Sequence, residues 1–465
     1  MKQDSSIDHL AASLRAQVTR LTPGDRLPSS RTLVERHKVS PVTVSRALGM
    51  LAAEGLVVAR PGSGTYVADP PRAFSEPPDF GWQAVALGDR TVDTAGLHAM
   101  LPTAPEGLIA LSGGYLHPSL QPVRALATAA SRATRRPASW ERPPPSGIAG
   151  LRSWFAASAG PWAAGADVLI TSGGQAALSI ALRSLLAAGS PVLVESPTYP
   201  GALVASRAAG LHPVPVPVDA EGVRPDLLAE AFAMTGAKVF YCQPTLHNPT
   251  GTVLPAERRA QVLSVARAVG AFVIEDDYAR YLGLAEAPPP LAADDDEGTV
   301  VHLTSLTKIT APSMRIAAMI ARGPVAERLR ATQLVDTFFP ARPLQETALE
   351  LVSSPAWPRH LGSVRAALRR RRDVLAAAVA RELPGVRPTR PAGGLHLWLR
   401  LPPGVDEQAL TEAAARAGVM VSAGRPFFPA EPSGHHLRLS YSIAATEAEL
   451  TEGVRRLAQA LSAVS

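Results

Sequence analysis

Between Val168 and Ile320 the chain repeats one unit, a short apolar run followed by a helical or loop stretch. The runs are Val168–Thr171, Val192–Glu195, Val239–Cys242, Phe272–Glu275, Val300–Leu303 and Ile316–Ile320. Brief, nearly continuous apolar strands alternating with helices fit an α/β sheet, mostly parallel and covered on both faces. In such sheets ligands gather beyond the carboxyl ends of the strands. The residues that follow each run are therefore the first place to look for chemistry.

After the fifth run comes Thr304-Ser305-Leu306-Thr307-Lys308, and further on Arg315. The chain has four lysines, Lys2, Lys38, Lys238 and Lys308, and arginine supplies the rest of its basic charge. Lysine kept in that background invites a chemical reason, because a desolvated amine can lose its proton and a guanidinium cannot. An amine with hydroxyls before it and a guanidinium after it suits a pyridoxal-phosphate site. A strand-end lysine facing solvent is the other reading of this segment alone.

The remaining strand ends carry weaker signals. Thr171-Ser172-Gly173-Gly174-Gln175 is a glycine turn opening a helix, whose free amides would receive a phosphate. Tyr199 in Glu195–Gly201 could stack on a ring or pack in the core, and Asn248 stands in an Asn-Pro-Thr-Gly turn. Glu275-Asp276-Asp277-Tyr278 ends the fourth run with acids, where solvated loop residues would also be ordinary.

The first seventy residues read differently. Leu10, Leu14, Val18 and Leu21 keep helical spacing over Ile7–Leu21. A short helix follows over Arg31–His37. Ser40 caps a third helix, with Pro41 at its first position, running through Glu54 to Gly55. Leu56–Arg60 and Thr65–Val67 read as strands joined by Pro61-Gly62-Ser63-Gly64. Three helices and a glycine-tipped hairpin describe a winged helix-turn-helix. Gly24–Arg31, Val39-Ser40, Thr43–Ala47, Gly55–Val57 and Arg60–Thr65 together resemble the GntR-type DNA-binding domain. That resemblance implies double-stranded DNA as partner. It also implies contacts from Arg31, Thr43, Ser45, Arg46 and the wing tip Gly62, Ser63 and Gly64. Many family members carry arginine just after the helix cap, where this chain has Pro41.

Formal charge is +6, which permits a polyanionic partner without demonstrating one. Cys242 is the single cysteine, so no internal disulfide framework exists and a reducing cytoplasm suits the chain. No signal-peptide pattern opens the sequence and no apolar run approaches the roughly 18–20 residues of a membrane span. His435 and His436 lack further ligands, so no metal is expected. Arg369–Arg372 reads as a solvated helical face first and a phosphate contact second.

In their order, the strand-end motifs resemble the fold-type I aminotransferases of classes I and II. With the N-terminal domain they resemble the MocR branch of GntR regulators. The resemblance makes Lys308 the lysine that holds pyridoxal 5'-phosphate as an internal aldimine, and Asp276 the carboxylate at the pyridinium nitrogen. Asp276 is chosen over Asp277 because Tyr278 then keeps the branch's Asp-x-Tyr spacing. Tyr278 and Asn248 match donors to the ring's phenolic oxygen, and Tyr199 the stacking ring. Gly174, Gln175, Ser305, Thr307 and Arg315 match the phosphate cradle. Arg438, in the alternating stretch His435–Tyr441, matches the arginine that takes a substrate carboxylate, its other reading being a salt-bridged structural residue. In Leu111–Pro118, Leu116 and His117 intrude on a Gly-x-Pro-like substrate loop.

The expected organisation is a winged helix over 1–69, a linker over 70–105 and an aminotransferase-like domain over 106–465. A smaller α+β subdomain is expected from about 340. The implied protein is a cytoplasmic homodimer that regulates transcription by sensing an amine, an amino acid or the cofactor at Lys308. The alternative is a working aminotransferase with an accessory DNA-binding domain.

Overall fold

The computed structural model describes residues 2–69, 79–88, 91, 94–98, 105, 107–432 and 434–464. The chain divides into two compact units, Met1–Arg90 and Thr91–Ser465.

In the first unit, α1 (Lys2–Val18), α2 (Ser30–His37) and α3 (Pro41–Ala53) precede a hairpin of β1 (Val57–Arg60) and β2 (Gly64–Val67). The helical stripe Ile7, Leu10, Leu14 and Val18 buries against Leu33, Val44, Ala47, Leu51 and Val67. The start of α3 is set locally. Ser40 Oγ accepts from the Thr43 amide at 3.1 Å, and Pro41 fills the first position, where an N–H would lack a helical acceptor. At the hairpin tip Gly62 and Gly64 hold φ of 74° and 120°, a backbone region that side chains with a Cβ avoid.

Of the expected linker, 70–78, 89–90, 92–93 and 99–104 lie outside the described residues. Within it, Gly81–Leu87 and Ala95–His98 are helical. The second of these helices counts with the second unit and lies close enough to Pro200 that a Cβ on Gly96 would touch its ring at 3.5 Å.

The first strand of the second unit is β3 (Ile109–Ala110). Its main sheet comprises β4 (Val168–Thr171), β5 (Pro191–Ser196), β6 (His212–Asp219), β7 (Gly222–Val223), β8 (Val239–Cys242), β9 (Phe272–Asp277), β10 (Val300–Ser305) and β11 (Ala317–Ile320). The spatial order is β4-β11-β10-β9-β8-β5-β6-β7. β10, β9, β8, β5 and β6 run parallel, whereas β11 is antiparallel to both neighbours and β7 to β6. Alternate residues serve opposite cores: Val192, Val194 and Tyr241 face one, and Leu193, Phe240 and Cys242 the other. The sheet is therefore covered on both faces, as its continuous apolar runs predict.

Proline hid β6 from sequence reasoning. Pro213, Pro215 and Pro217 alternate along it, and the His212 amide donates back towards β5, to Ser190 O. The prolines thus occupy the positions whose missing N–H would point away from β5, on the side that only the short β7 covers at its far end. That placement keeps the parallel ladder and blunts the edge against further pairing.

The smaller subdomain adds β12 (Arg387–Pro388), β13 (His396–Arg400), β14 (Val419–Met420), β15 (Ser422–Ala423) and β16 (His436–Ser440). β14 pairs with β3, and the others form an antiparallel sheet ordered β12-β13-β16-β15. Helix Ala356–Glu382 buries Val364, Leu368, Leu375 and Val379 along one face, each contributing about 1.5–3 kcal/mol relative to exposure. Its arginine run is a solvated face only at Arg369 and Arg370, which are exposed. Arg371 is buried and donates to the carbonyls of Ser442, Ala444 and Ala445, while Arg372 donates to Pro391 O. These bonds give loop carbonyls a buried donor and tie the helix to the β16 exit. Among the described residues no helix is long and apolar enough to cross a membrane.

Candidate functional site

The carboxyl ends of β4, β5, β8, β9 and β10 surround a cavity of about 320 Å³. Its walls include Gly174, Gln175, Tyr199, Asn248, Asp276, Tyr278, Ser305, Thr307, Lys308, Arg315 and Arg438. Every residue expected at the cofactor and effector thus lines one space, although the motifs are spread from 174 to 438.

Lys308 Nζ donates to Gly114 O at 2.8 Å and stands 3.8 Å from the centre of the Tyr115 ring. Burial, reinforced by the Arg438 and Arg315 charges, brings its pKa down to about 7, against the opposing pull of Asp276. The amine can therefore lose its proton near neutrality, and its lone pair is then available for attack on a carbonyl.

β9 alternates its acids. Asp276 opens into the cavity, whereas Asp277 is fully buried and lies 3.3 Å from Arg280. Tyr241 Oη and Gln243 Nε2 both donate to Asp276 Oδ2, at 2.7 and 2.8 Å, and leave Oδ1 without a donor among the described residues. Burial raises the Asp276 pKa, and these two donors together with Lys308 work against the rise.

The phosphate-side residues form a cradle. Helix Gly174–Leu185 begins at the cavity, and its first amides have no acceptor within the helix. Gln175 is held by Tyr199, whose Oη donates to Oε1 at 3.0 Å, and by Gly201 O, which accepts from Nε2 at 3.0 Å. A Cβ on Gly201 would meet the Tyr199 ring at 2.3 Å, so glycine there gives the ring its room. Arg315 donates to Ser172 O at 3.2 Å, packs its guanidinium against Gly173 and adopts φ 43°. That left-handed backbone costs about 1 kcal/mol or more. Ser305 Oγ accepts from the Thr307 amide at 3.1 Å, and Thr307 Oγ1 is buried with no partner.

Arg438, 1 % exposed, donates from Nη1 to Asn248 Oδ1 at 3.0 Å and from Nη2 to Gly113 O at 3.2 Å. Its Nε has no partner, and burial lowers its pKa to about 10. It forms no salt bridge among the described residues. His396 Nε2 also meets Gly113 O, at 2.9 Å, and burial beside Arg438 holds this imidazole well below its ordinary pKa. The loop around Gly113 and Gly114, despite its intruding Leu116 and His117, therefore lies at the site, with its carbonyls bonded to Arg438, His396 and Lys308. Tyr278 Oη donates to Leu246 O at 3.0 Å.

Pyridoxal phosphate fits these residues. Arg315 and Arg438 are cations without carboxylate partners among the described residues, Thr307 Oγ1 is a buried orphan, and glycines form the turn at the helix start. The cavity wall carries Lys308, Arg315 and Arg438 against Asp276 alone. Its charge calls for anionic ligand groups.

Sequence reasoning missed Tyr115, Tyr241, Gln243, His396 and Leu97, although all but Tyr241 line the cavity and Tyr241 supports Asp276. Tyr241 and His396 sit inside strand runs, and Leu97 lies in a stretch whose composition reads as linker. None has a local signature.

On the first unit, Ser45, Arg46, Gly62, Ser63 and Gly64 are exposed, and the Arg31 side chain is 91 % exposed beside Glu35. Val42 is also open, at 64 %, near the start of α3. Thr43 departs from the expected contact set. It is buried at 7 %, with its hydroxyl 2.9 Å from Ser40 Oγ, because the cap turns it inward.

The family description "Aminotransferase class I and II" matches residues 109–457, and "Bacterial regulatory proteins, gntR family" matches residues 7–67. The HTH-type transcriptional regulator TauR of Rhodobacter capsulatus is 30% identical over 468 residues, covering 95% of this chain and 93% of that one. The 2-aminoadipate transaminase of Thermus thermophilus is 33% identical over 388 residues, covering 82% and 96%. The crystal structure of LysN, an alpha-aminoadipate aminotransferase from Thermus thermophilus complexed with N-(5'-phosphopyridoxyl)-L-leucine, matches with a TM-score of 0.74. The identity is 31%, with coverage of 82% of this chain and 98% of that one. With the fold and both matched regions in view, the chain belongs to the class I and II aminotransferase family and, through its GntR-type domain, has the MocR architecture of DNA-binding transcription regulators.

Proposed function

We propose that this protein is a transcription regulator that holds pyridoxal phosphate at Lys308 and answers to an amine or amino acid arriving at the same cavity. One observation carries the reading: two cations of the cavity wall, Arg315 and Arg438, lack carboxylate partners among the described residues while a lysine with a pKa near 7 stands with them. Two ligand anions would complete them, a phosphate at Arg315 and a carboxylate at Arg438.

When bound, pyridoxal phosphate supplies an aldehyde that condenses with amines and a ring that draws off electron density. Lys308 Nζ would hold it covalently. Gly174, Gln175, Ser305, Thr307 and Arg315 would hold the phosphate, Asp276 the ring nitrogen, Asn248 and Tyr278 the phenolic oxygen, and Tyr199 the ring face. Lys308 Nζ would be the group that gives way to an incoming amine. A regulator results if the freed and attached states favour different arrangements of the DNA-binding unit, which requires the ligand to bind them unequally.

The contacts expected on DNA are Arg31, Ser45, Arg46 and the wing tip. A homodimer is the expected assembly, supported by the exposed apolar side chains Val335 and Phe338, 86% and 67% exposed. A second reading, steady transamination, draws on the complete residue set and on the transaminase likeness, with Lys308 Nζ as the group that would move the proton. Purified protein should bind pyridoxal phosphate with a visible absorption band that Lys308→Ala removes. Its mobility shift on its own promoter region should change when an amino-acid panel is added. A colourless wild type sinks the cofactor claim. Sustained keto-acid exchange without any sequence-dependent shift would favour the enzyme.

A further inference from the structure

Gln243 is not accounted for by the site roles above, yet its side chain lies between them. It is 2 % exposed, at the carboxyl end of β8, and lines the cavity. Its backbone amide donates to the buried Glu195 Oε2 at 2.7 Å, which anchors the residue to the end of β5. Its side-chain amide then bonds in two directions. Nε2 donates to Asp276 Oδ2 at 2.8 Å, and Oε1 accepts from the Asn248 backbone amide at 3.1 Å.

The orientation of this amide is forced by its partners. A flipped side chain would put Oε1 against the Asp276 carboxylate and an N–H against the Asn248 N–H, losing both bonds. Asn248 Oδ1 in turn accepts from Arg438. A continuous series therefore runs from Asp276 through Gln243 and Asn248 to Arg438, joining the acid expected at the cofactor ring to the guanidinium expected at the effector carboxylate.

We propose that Gln243 is a positioning residue that holds Asp276 as a hydrogen-bonded anion and ties it to the Asn248 turn, so that the cofactor and effector ends of the cavity are set by one side chain. Because Gln243 Nε2 and Tyr241 Oη converge on Oδ2, the other carboxylate oxygen is left for the ring. The assignment rests on the pyridoxal-phosphate reading.

The test uses the full chain stripped of cofactor and titrated with pyridoxal phosphate, following absorbance, at a series of pH values from about 6 to 8.5, a span that brackets the ordinary histidine range and the lysine's lowered one. Gln243→Met keeps length and volume but has neither bond. It should bind about 10- to 100-fold more weakly than wild type at every pH, the usual effect of losing a hydrogen bond to a charged group. Gln243→Glu separates positioning from packing. Protonated, its carboxyl donates to Asp276 and accepts from Asn248 as the glutamine does. Ionised, it faces Asp276 as a like charge. Its deficit relative to wild type should therefore shrink as pH falls, while that of Gln243→Met stays constant. Wild-type affinity in Gln243→Met, or a Gln243→Glu deficit that does not move with pH, overturns the assignment. If wild type itself takes up no pyridoxal phosphate, it is the cofactor reading that falls.

Discussion

Arg438 Nη1 donates to Asn248 Oδ1 at 3.0 Å, across 190 positions of sequence. The bond joins the small subdomain's β16 to the turn after β8 and gives the buried guanidinium a neutral partner in place of a carboxylate. A cation stabilised in this way keeps binding capacity for an anion.

In the folded chain the Lys308 proton is held only to about pH 7, against 10.5 for the ordinary side chain. Between those values the unfolded chain binds more protons, so stability rises with pH across that window, and the burial cost is complete below it. Lys308→Met removes the cost. Without cofactor, the variant should exceed wild type by about 1–3 kcal/mol below pH 7, the advantage fading towards pH 10.5. Denaturant unfolding across pH reads this directly.

Arg438→Met should act on ligands according to their charge. Amino acids should bind about 10- to 100-fold more weakly, whereas the corresponding amines without a carboxylate should be little affected. Because Arg438 also depresses the Lys308 pKa, the pH midpoint for cofactor attachment should move upward. Absorbance titration of the loaded protein reads both effects.

Thr307→Val tests the cradle without burdening the fold. Thr307 Oγ1 is buried and unpartnered, so the empty protein should lose no stability, and pyridoxal phosphate should bind about tenfold more weakly for want of one hydrogen bond to a charged group. Pyridoxal without its phosphate should bind wild type and variant alike. Equal loss for both ligands would remove Thr307 from the phosphate site.

On the DNA-binding unit, Arg46→Ala should weaken DNA binding and lower the slope of affinity against salt by about one. Thr43→Val should instead cost about 0.5–1.5 kcal/mol of stability, through the lost Ser40 hydrogen bond, and leave the salt slope unchanged. Mobility shifts at several salt concentrations, with thermal unfolding alongside, distinguish a contact from a cap.

Much of the fold was legible because its signals are local. The period of Ile7, Leu10, Leu14 and Val18 produced α1, Ser40 and Pro41 opened α3, and six apolar runs became six strands. β6 was not legible. Its alternating prolines argue against a strand until the direction of the missing N–H groups is known, and that direction depends on which neighbour the strand has. The linker composition likewise concealed Leu97, which reaches the cavity only through the packing of Ala95–His98.

For the site, sequence by itself determined the chemical inventory and its location at strand ends: a rare lysine, an acid, an amide, hydroxyls and two arginines. These depend on residue type and on strand period, which are properties of short segments. The Asp-x-Tyr spacing had already singled out Asp276 over Asp277; tertiary structure alone decided that Thr43 turns inward, and that Gly113 and Gly114 present carbonyls to Arg438, His396 and Lys308. It also set the lysine's pKa. Burial and the fields of distant charges exist only once segments far apart in sequence are packed together.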